Sequence, residues 1–254
     1  MSGRAVVAVA GSDREGFLQN LVTNDVGTAR GALAYAALLT PQGKYLADFF
    51  LLGEEGRILL DVAEPLAGSL LQRLSMYRLR ADVGLEPTSL LVRRGTGPAP
   101  AGALPDPRHP ALGWRLYGAE GGCDGTAWDG LRVEHVVPET GIELTPDTFI
   151  LEAGFERLHG VDFRKGCYVG QEVTARMKHK TELRKGLARV LVEGEAPVGT
   201  PILMSDGREA GTLFTQSGGR AIAHLRFDRA EGEMTAGGAR VRPDPSWAAQ
   251  ARSA

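Results

Sequence analysis

Hydrophobic and polar positions along this chain alternate between strand-like and helical patterns. Short apolar, β-prone runs predict strands at residues 5–10, 35–39, 45–52, 57–62, 80–86 and 90–93. Leucines at helical spacing predict a helix at 64–77, and Ser12 with Glu15 has the form of a capping box ahead of a shorter helix. Residues 40–44 carry Pro and Gly where a hairpin turn needs them. Strands mixed with helices in this order predict an α+β fold with antiparallel sheets.

The pattern changes after residue 94. Residues 95–110 are rich in Gly, Pro and Ala, which predicts a surface connection between subdomains. Helices are predicted at 124–137 and 149–159. After residue 185, short strands separated by turns predict a small β-barrel, with strands at 187–192, 201–204, 210–216 and 220–225. We therefore predict an N-terminal domain, a middle domain, a barrel and a tail, with boundaries at 1–94, 95–182, 183–246 and 247–254.

The composition is that of an ordinary globular protein, with 43% hydrophobic and 24% charged residues among 254. No apolar run approaches the ~20 residues of a membrane span, and the N-terminus does not resemble a signal peptide. The two cysteines, Cys123 and Cys167, are too few for a disulfide scaffold and too far apart for a compact zinc site. We therefore expect a cytoplasmic protein with reduced thiols, no membrane association and no metal site.

Charge is unevenly distributed, although the net charge is only −2. Residues 164–185, the basic segment, hold seven Lys or Arg and two acids. This segment suits an anionic ligand such as a polyglutamate tail, a phosphate or RNA. A solvated helix face, with Lys178 and Glu182 paired at i, i+4, explains the same charges, and both interpretations stay open. Stable nucleic-acid binding is not expected, because the interleaved aromatic residues of single-strand readers are missing.

The run Lys165-Gly166-Cys167-Tyr168-Val169-Gly170-Gln171-Glu172 is the candidate chemical site. Helical periodicity from Val169 onward predicts a helix whose positive end, together with Lys165, favours the thiolate form of Cys167. Gly166 and Gly170 permit a close approach of backbone to a ligand. We therefore predict a reactive or ligating sulfur, and a buried thiol that only packs is the alternative.

Other catalytic motifs are missing from the sequence. It holds no G-x-S-x-G elbow, Walker loop, H-E-x-x-H pair or dinucleotide fingerprint, which argues against hydrolases, nucleotidases and dehydrogenases. Among the histidines, only His179 in the basic segment is a candidate. Trp128 lies on a predicted helix that could turn its ring toward a flat ligand, although core packing explains it as well.

Together with Ala175-Arg176, the octapeptide resembles the hallmark of the YgfZ family of folate-binding proteins. These proteins are relatives of the glycine-cleavage T-protein, an aminomethyltransferase, and of mitochondrial iron-sulfur assembly factors. The resemblance extends to segments within residues 17–26, 39–44, 77–80 and 211–213, and so spans nearly the whole chain. It implies an N-terminal fold shared with the T-protein, a ferredoxin-like middle part and a C-terminal β-barrel, which together enclose a channel for tetrahydrofolate.

The resemblance also implies which residues bind tetrahydrofolate or another folate. Trp128, followed ten positions later by Pro138, matches a family spacing, whereas a second family Trp falls near Arg4 here. Asn24 and Asp25 are expected to hydrogen-bond the pterin. The other expected folate-binding residues are Asp48, Tyr168, Gly170, Gln171, Glu172 and Arg176, and the reactive pair is Cys167 with Lys165.

Two functions follow from this resemblance. In the first, the chain is a folate-binding accessory protein that supports assembly or repair of iron-sulfur proteins, and so affects tRNA modification indirectly. Its partners are then iron-sulfur client or assembly proteins, and a cluster bound by Cys167 is shared, because four ligands are usual. In the second, the chain is a tetrahydrofolate-dependent aminomethyltransferase or demethylase in which Asp48 positions the folate. Whether the protein is an enzyme stays open.

Overall fold

The computed structural model describes residues 3–179 and 183–247. The chain divides into two compact units, the first made of residues 1–126 and 158–175 and the second of 127–157 and 176–254. Lys180, Glu182 and the tail from residue 248 lie outside the described residues, and with them the predicted pairing of Lys178 with Glu182. The four-part domain division stays a prediction.

Both units contain helices and strands, with strands in the majority. In the described residues the α-helices are α1 (Arg14–Gln19), α2 (Glu64–Arg78), α3 (Trp128–His135) and α4 (Gln171–His179). The first-unit strands are β1 (Arg4–Ala10), β2 (Leu33–Leu39), β3 (Tyr45–Glu54), β4 (Arg57–Ala63), β5 (Gly84–Pro87), β6 (Leu91–Gly95), β7 (Leu104–Pro105), β8 (Trp114–Gly118) and β9 (Gly122–Cys123). The second-unit strands are β10 (Lys185–Glu193), β11 (Thr200–Leu203), β12 (Glu209–Ser217), β13 (Arg220–Arg226), β14 (Met234–Ala236) and β15 (Ala239–Pro243).

An antiparallel sheet in the order β2-β3-β4-β1-β5 forms the frame of the first unit. The predicted β2–β3 hairpin is present, because Gly43 adopts φ +75° and its N–H donates to the Thr40 carbonyl at 2.8 Å. Helix α2 buries Leu70 and Leu74, one turn apart, in the core of this sheet. A smaller sheet in the order β7-β8-β6-β9 completes the unit.

Residues 95–110 are not simply a surface connection, because Asp106 and Arg108 are buried. Asp106 accepts hydrogen bonds from Arg108 and from Arg115, which also donates to Asp61 at 3.0 Å. The Arg115 guanidinium lies 3.8 Å from the centre of the Phe50 ring. Burial alone raises the pKa of Asp106, but the two guanidinium groups outweigh it and lower that pKa to about 2. A compensated charge network therefore fills part of this interior.

The strands of the second unit close into a barrel in the order β10-β13-β12-β11-β14-β15. Val190, Ile202 and Ala223 are buried within it, and the barrel predicted from the short strands and turns is present. Strands β14 and β15, which close the barrel against β10, were not predicted. Outside the barrel core, the Arg132 guanidinium of α3 pairs with the buried carboxylate of Glu143.

Two predicted local features were wrong. Residues 149–159 form successive turns rather than a helix, since Gly154 and His159 adopt φ of +77° and +54°. The capping box before α1 is absent, because Ser12 donates its hydroxyl to Asp82 at 2.9 Å instead. The predicted fold class is nevertheless confirmed: an α+β fold with antiparallel sheets, packed helices and a C-terminal β-barrel.

Candidate functional site

The thiol of Cys167 is exposed and lies in an irregular loop of the first unit. Helix α4 begins at Gln171, two residues later than the predicted start at Val169, so Cys167 lies four residues ahead of the helix. The loop around the thiol, residues 162–170, is therefore held by contacts other than helical hydrogen bonds. We call it the thiol loop.

Lys165 fixes the base of the thiol loop. Its buried ammonium group donates to the carbonyls of Gln19, Val22 and Asn24 at 2.8, 2.5 and 3.0 Å. Burial lowers the pKa of Lys165 to about 8, and the carboxylates of Asp25 and Asp162 oppose this decrease. Three carbonyl acceptors need the three donors of an ammonium group, so this cation anchors the loop rather than facing the sulfur.

A close approach of two glycines fixes the other end of the thiol loop. Gly170 adopts φ +83°, and a Cβ at this position would lie 2.6 Å from the Thr40 carbonyl oxygen and 3.2 Å from the Gly43 Cα. A Cβ on Gly43 would lie 2.8 Å from the Cβ of Val173. The backbone that Gly170 approaches is thus the tip of the β2–β3 hairpin. A Cβ on Gly166, in contrast, would have no atom within 4 Å, so Gly166 serves no such contact.

Thr23, which no sequence pattern singled out, joins the thiol loop to the sheet. It is fully buried, accepts from the Ala37 N–H at 2.8 Å and donates to the Gly160 carbonyl at 2.7 Å. Its own carbonyl accepts from the Asp162 N–H at 3.0 Å. The Thr23-Asn24-Asp25 run carries part of the resemblance, but no local pattern distinguishes an anchoring Thr from a turn residue.

The polar residues expected to bind the pterin are engaged within the first unit. The Asn24 amide donates to the carbonyls of Tyr35 and His159, and the Asp25 carboxylate caps the 3-10 helix at Val26–Ala29. Asp48 is buried and accepts from the hydroxyls of Tyr35 and Tyr45 at 2.9 and 2.6 Å. Because these polar groups already have hydrogen-bonding partners within the chain, they do not form a set of unsatisfied groups ready to bind a folate.

The remaining predicted site residues belong to both units. Trp128 is buried at the start of α3 in the second unit, and Tyr168 is buried with its ring 5.2 Å from the Lys165 ammonium. Burial raises the pKa of Tyr168 to about 12. Glu172 and Arg176 are exposed on α4, and Gln171 is half-buried at its start.

The charged residues of the basic segment are also in different environments. Within its described residues, Lys165 is buried, whereas Lys178 and Lys185 pair with Glu156 and Glu152. Arg176, Arg184 and His179 are exposed. Among the described residues, no group of three or more His, Cys, Asp or Glu side chains is arranged to hold a metal ion. The site is accordingly a single presented thiol on a fixed loop.

The fold places the chain in a known structural class. The glycine cleavage system aminomethyltransferase T from Bartonella henselae superposes on 94% of this chain and 82% of its own, with a TM-score of 0.74 and 15% sequence identity. At that identity the likeness establishes the fold alone. Residues 184–250 match the family model described as CAF17, C-terminal beta-barrel domain.

Sequence relatives define the family more closely. The mouse and human proteins named iron-sulfur cluster assembly factor IBA57, mitochondrial, are 32% and 30% identical, and each alignment covers 92% of this chain and 78% of the relative. A Neurospora crassa homologue of the same name is 31% identical over 78% of this chain and 54% of its own. The chain belongs to the family of the iron-sulfur cluster assembly factor IBA57.

Membership in this family confirms the part of the resemblance that concerned iron-sulfur assembly factors with a T-protein fold. The relatives carry the IBA57 name rather than YgfZ. They are also named as mitochondrial, whereas a cytoplasmic location was predicted for this chain. Among the described residues, none of the helices combines the length and apolar character needed to cross a membrane.

Proposed function

We propose that this chain supports the assembly or repair of iron-sulfur proteins by offering the Cys167 thiolate as one ligand of a cluster. The observation that carries the proposal is the exposed thiol on a loop fixed at one end by Lys165 and at the other by Gly170. The relatives are named for a role in iron-sulfur cluster assembly, which supports the same chemistry. A rigidly presented thiol can reach a metal held by another protein without unfolding its own support.

One thiol cannot complete the coordination of a cluster, for which four protein ligands are usual. The partner protein therefore supplies the remaining ligands, and the cluster is cargo rather than a resident cofactor. On binding, the thiol releases its proton to solvent and the sulfur donates an electron pair to one iron. The partners proposed are client or assembly proteins, and the effect on tRNA modification is indirect, through iron-sulfur enzymes that receive clusters.

Binding of tetrahydrofolate, with or without aminomethyl transfer, is the second candidate. The aminomethyltransferase T fold favours it, whereas the internal hydrogen bonds of Asn24 and Asp48 argue against the predicted pterin contacts. A titration with tetrahydrofolate that follows Trp fluorescence in wild type and Trp128→Ala tests it. Saturable quenching that Trp128→Ala removes would support a folate site. The predictions of a YgfZ-type function and of a cytoplasmic location do not depend on the role proposed for the Cys167 thiol.

Cys167→Ser and Cys123→Ser form a matched pair, because both thiols are exposed in the first unit. Each variant replaces the native chain in cells, and the activity of an enzyme with a [4Fe–4S] cluster is measured with the abundance of its polypeptide. We expect Cys167→Ser to lower activity per polypeptide and Cys123→Ser to leave it unchanged. Full activity in Cys167→Ser cells would refute the ligand role and favour the transferase.

A further inference from the structure

The C-terminal half of α2 and the turn after it present a cationic and apolar surface on the first unit. This surface, here called the α2 face, consists of Arg73, Met76, Arg78, Leu79 and Arg80. Met76 is 65% exposed and Leu79 is 89% exposed. Large apolar side chains exposed side by side mark interaction surfaces more often than isolated ones do.

Leu79 is held outward by a strained backbone. It adopts φ +44° and ψ −107°, a combination outside the regions that residues with a Cβ normally occupy, which costs free energy. The turn is closed by the Ala81 N–H, which donates to the Arg78 carbonyl at 2.8 Å. An exposed leucine gains no free energy from packing or from solvation that would offset this backbone strain. We therefore infer that the Leu79 side chain contacts another molecule.

A groove of about 280 Å³ is lined in part by two residues of the α2 face. Its lining includes the exposed Arg73 and Met76 together with the apolar side chains of Leu38, Leu46 and Leu70. The volume is sufficient for one or two apolar side chains of a docked segment rather than for a drug-sized ligand. The groove lies entirely within the first unit.

The charge of the α2 face has one sign. Residues 65–81 contain three arginines and no Asp or Glu. Among the described residues, Arg73, Arg78 and Arg80 take part in no ion pair, and the nearest acid in sequence, Asp82, accepts two hydrogen bonds from Ser12. Arg73 lines the groove, and Arg78 and Arg80 are exposed on the stretch that follows it. A groove with an apolar lining and three nearby arginines in the sequence complements an acidic segment with an apolar anchor.

We propose that the α2 face binds an acidic amphipathic protein segment that inserts an apolar side chain into the groove between α2 and the β2–β3 hairpin. This is helix-in-groove recognition, with the apolar anchor in the recess and the acidic positions on the arginines. Leu38 of the groove precedes Leu39, whose Cβ would lie 3.0 Å from a Cβ on Gly170. The hairpin thus joins the groove to the thiol loop, and the idea that the bound partner also meets Cys167 rests on the proposed function.

The probe is a fluorescein-labelled peptide of about 14 residues with Leu at positions i, i+3, i+4 and i+7 and Glu elsewhere. Fluorescence anisotropy measures its binding to the whole chain. We expect dissociation constants on the order of tens of micromolar and a roughly tenfold weakening in Leu79→Ser and in Arg73→Glu. Matched controls in the second unit are Val198→Ser, 56% exposed, and Arg240→Glu, 68% exposed.

Reversing the charges on both the protein and the peptide gives a second test, which still decides the question if a single variant folds poorly. The triple variant Arg73→Glu, Arg78→Glu, Arg80→Glu should lose the Glu peptide and gain a version with Lys in place of Glu. Wild-type binding that these variants leave unchanged, or no binding of the Glu peptide at all, would overturn the proposal. So would preferential binding to phosphatidylcholine vesicles with about 30% phosphatidylserine, because the surface would then recognise lipid. Cys167→Ser should bind the peptide normally, which separates this proposal from the role of the thiol.

Discussion

Gly170→Ala should destabilise the first unit by about 2–5 kcal/mol. The left-handed φ of +83° costs a residue with a Cβ ~1–2 kcal/mol. The new methyl group would also lie 2.6 Å from the Thr40 carbonyl oxygen, and relief of such an overpacked contact costs another ~1–3 kcal/mol because backbone must move. Both penalties act on the same contact between the thiol loop and the hairpin.

Gly166→Ala is the matched control, since it lies on the opposite side of Cys167 with no atom within 4 Å of the new methyl group. We expect a change in stability of no more than about 1 kcal/mol, in either direction. Urea denaturation followed by circular dichroism measures the free energy of unfolding of both variants. Equal effects of the two substitutions would refute the view that Gly170 is required for the fit of the loop on the hairpin.

The same pair of variants separates the position of the thiol from its chemistry. If the loop must be fixed for Cys167 to meet a partner, Gly170→Ala should lower iron-sulfur enzyme activity at a temperature where the variant is still folded, whereas Gly166→Ala should not. A thiol alkylation rate that is unchanged in both variants would show that the sulfur itself remains accessible, so that lost activity reflects its position.

Three further outcomes are expected in denaturation experiments. Lys165→Met leaves three carbonyls without their donor and should cost about 2–4 kcal/mol, whereas Lys178→Met, which removes a half-exposed ion pair, should cost less than about 1 kcal/mol. Asp106 has a pKa lowered from 3.8 to about 2, so the stability it contributes is complete above pH about 4 and is lost as the pH falls toward 2; Asp106→Asn should flatten the dependence of unfolding free energy on pH in that window. Arg132→Met leaves the carboxylate of Glu143 buried and unpaired and should cost about 3–5 kcal/mol, part of which a second change, Glu143→Gln, should restore. Effects of similar size in Lys165→Met and Lys178→Met would contradict the anchoring role of Lys165.

Local patterns predicted the elements whose causes are local. The β2–β3 hairpin and α2 follow from Gly43 and from leucines one turn apart, and both are present near the predicted bounds. Four of the six barrel strands were recognisable as short apolar runs between turn residues, whereas β14 and β15 were missed. The prediction of a helix at 149–159 was wrong because Gly154 adopts a positive φ, which interrupts a helix. The helical spacing of the apolar residues gives no sign of that backbone angle.

The features that the sequence did not predict depend on contacts between residues that are far apart in the chain. Lys165 stands two positions from Cys167 and was expected to act on it, yet its ammonium group reaches back to carbonyls more than 140 positions earlier. Asp106 and Arg108 lie in a Gly-rich and Pro-rich stretch with the composition of a loop. Their burial depends on long-range contacts: Asp106 accepts a hydrogen bond from Arg115, and the Arg108 guanidinium lies over the Phe50 ring. The exposure of Cys167 agrees with the prediction of an accessible sulfur, while its ligating role remains to be tested.

The first unit is completed by a segment that the ribosome delivers late. Residues 158–175 belong to the first unit but are synthesised only after residues 127–157, which belong to the second, and Thr23 must wait for Asp162. At synthesis rates of ~5–20 residues per second, that interval lasts on the order of 10 s. During this time the nascent sheet lacks Lys165, whose ammonium group will bind the carbonyls of Gln19, Val22 and Asn24. Cys167 follows Lys165 by two residues, so the thiol is synthesised together with the cation that anchors its loop.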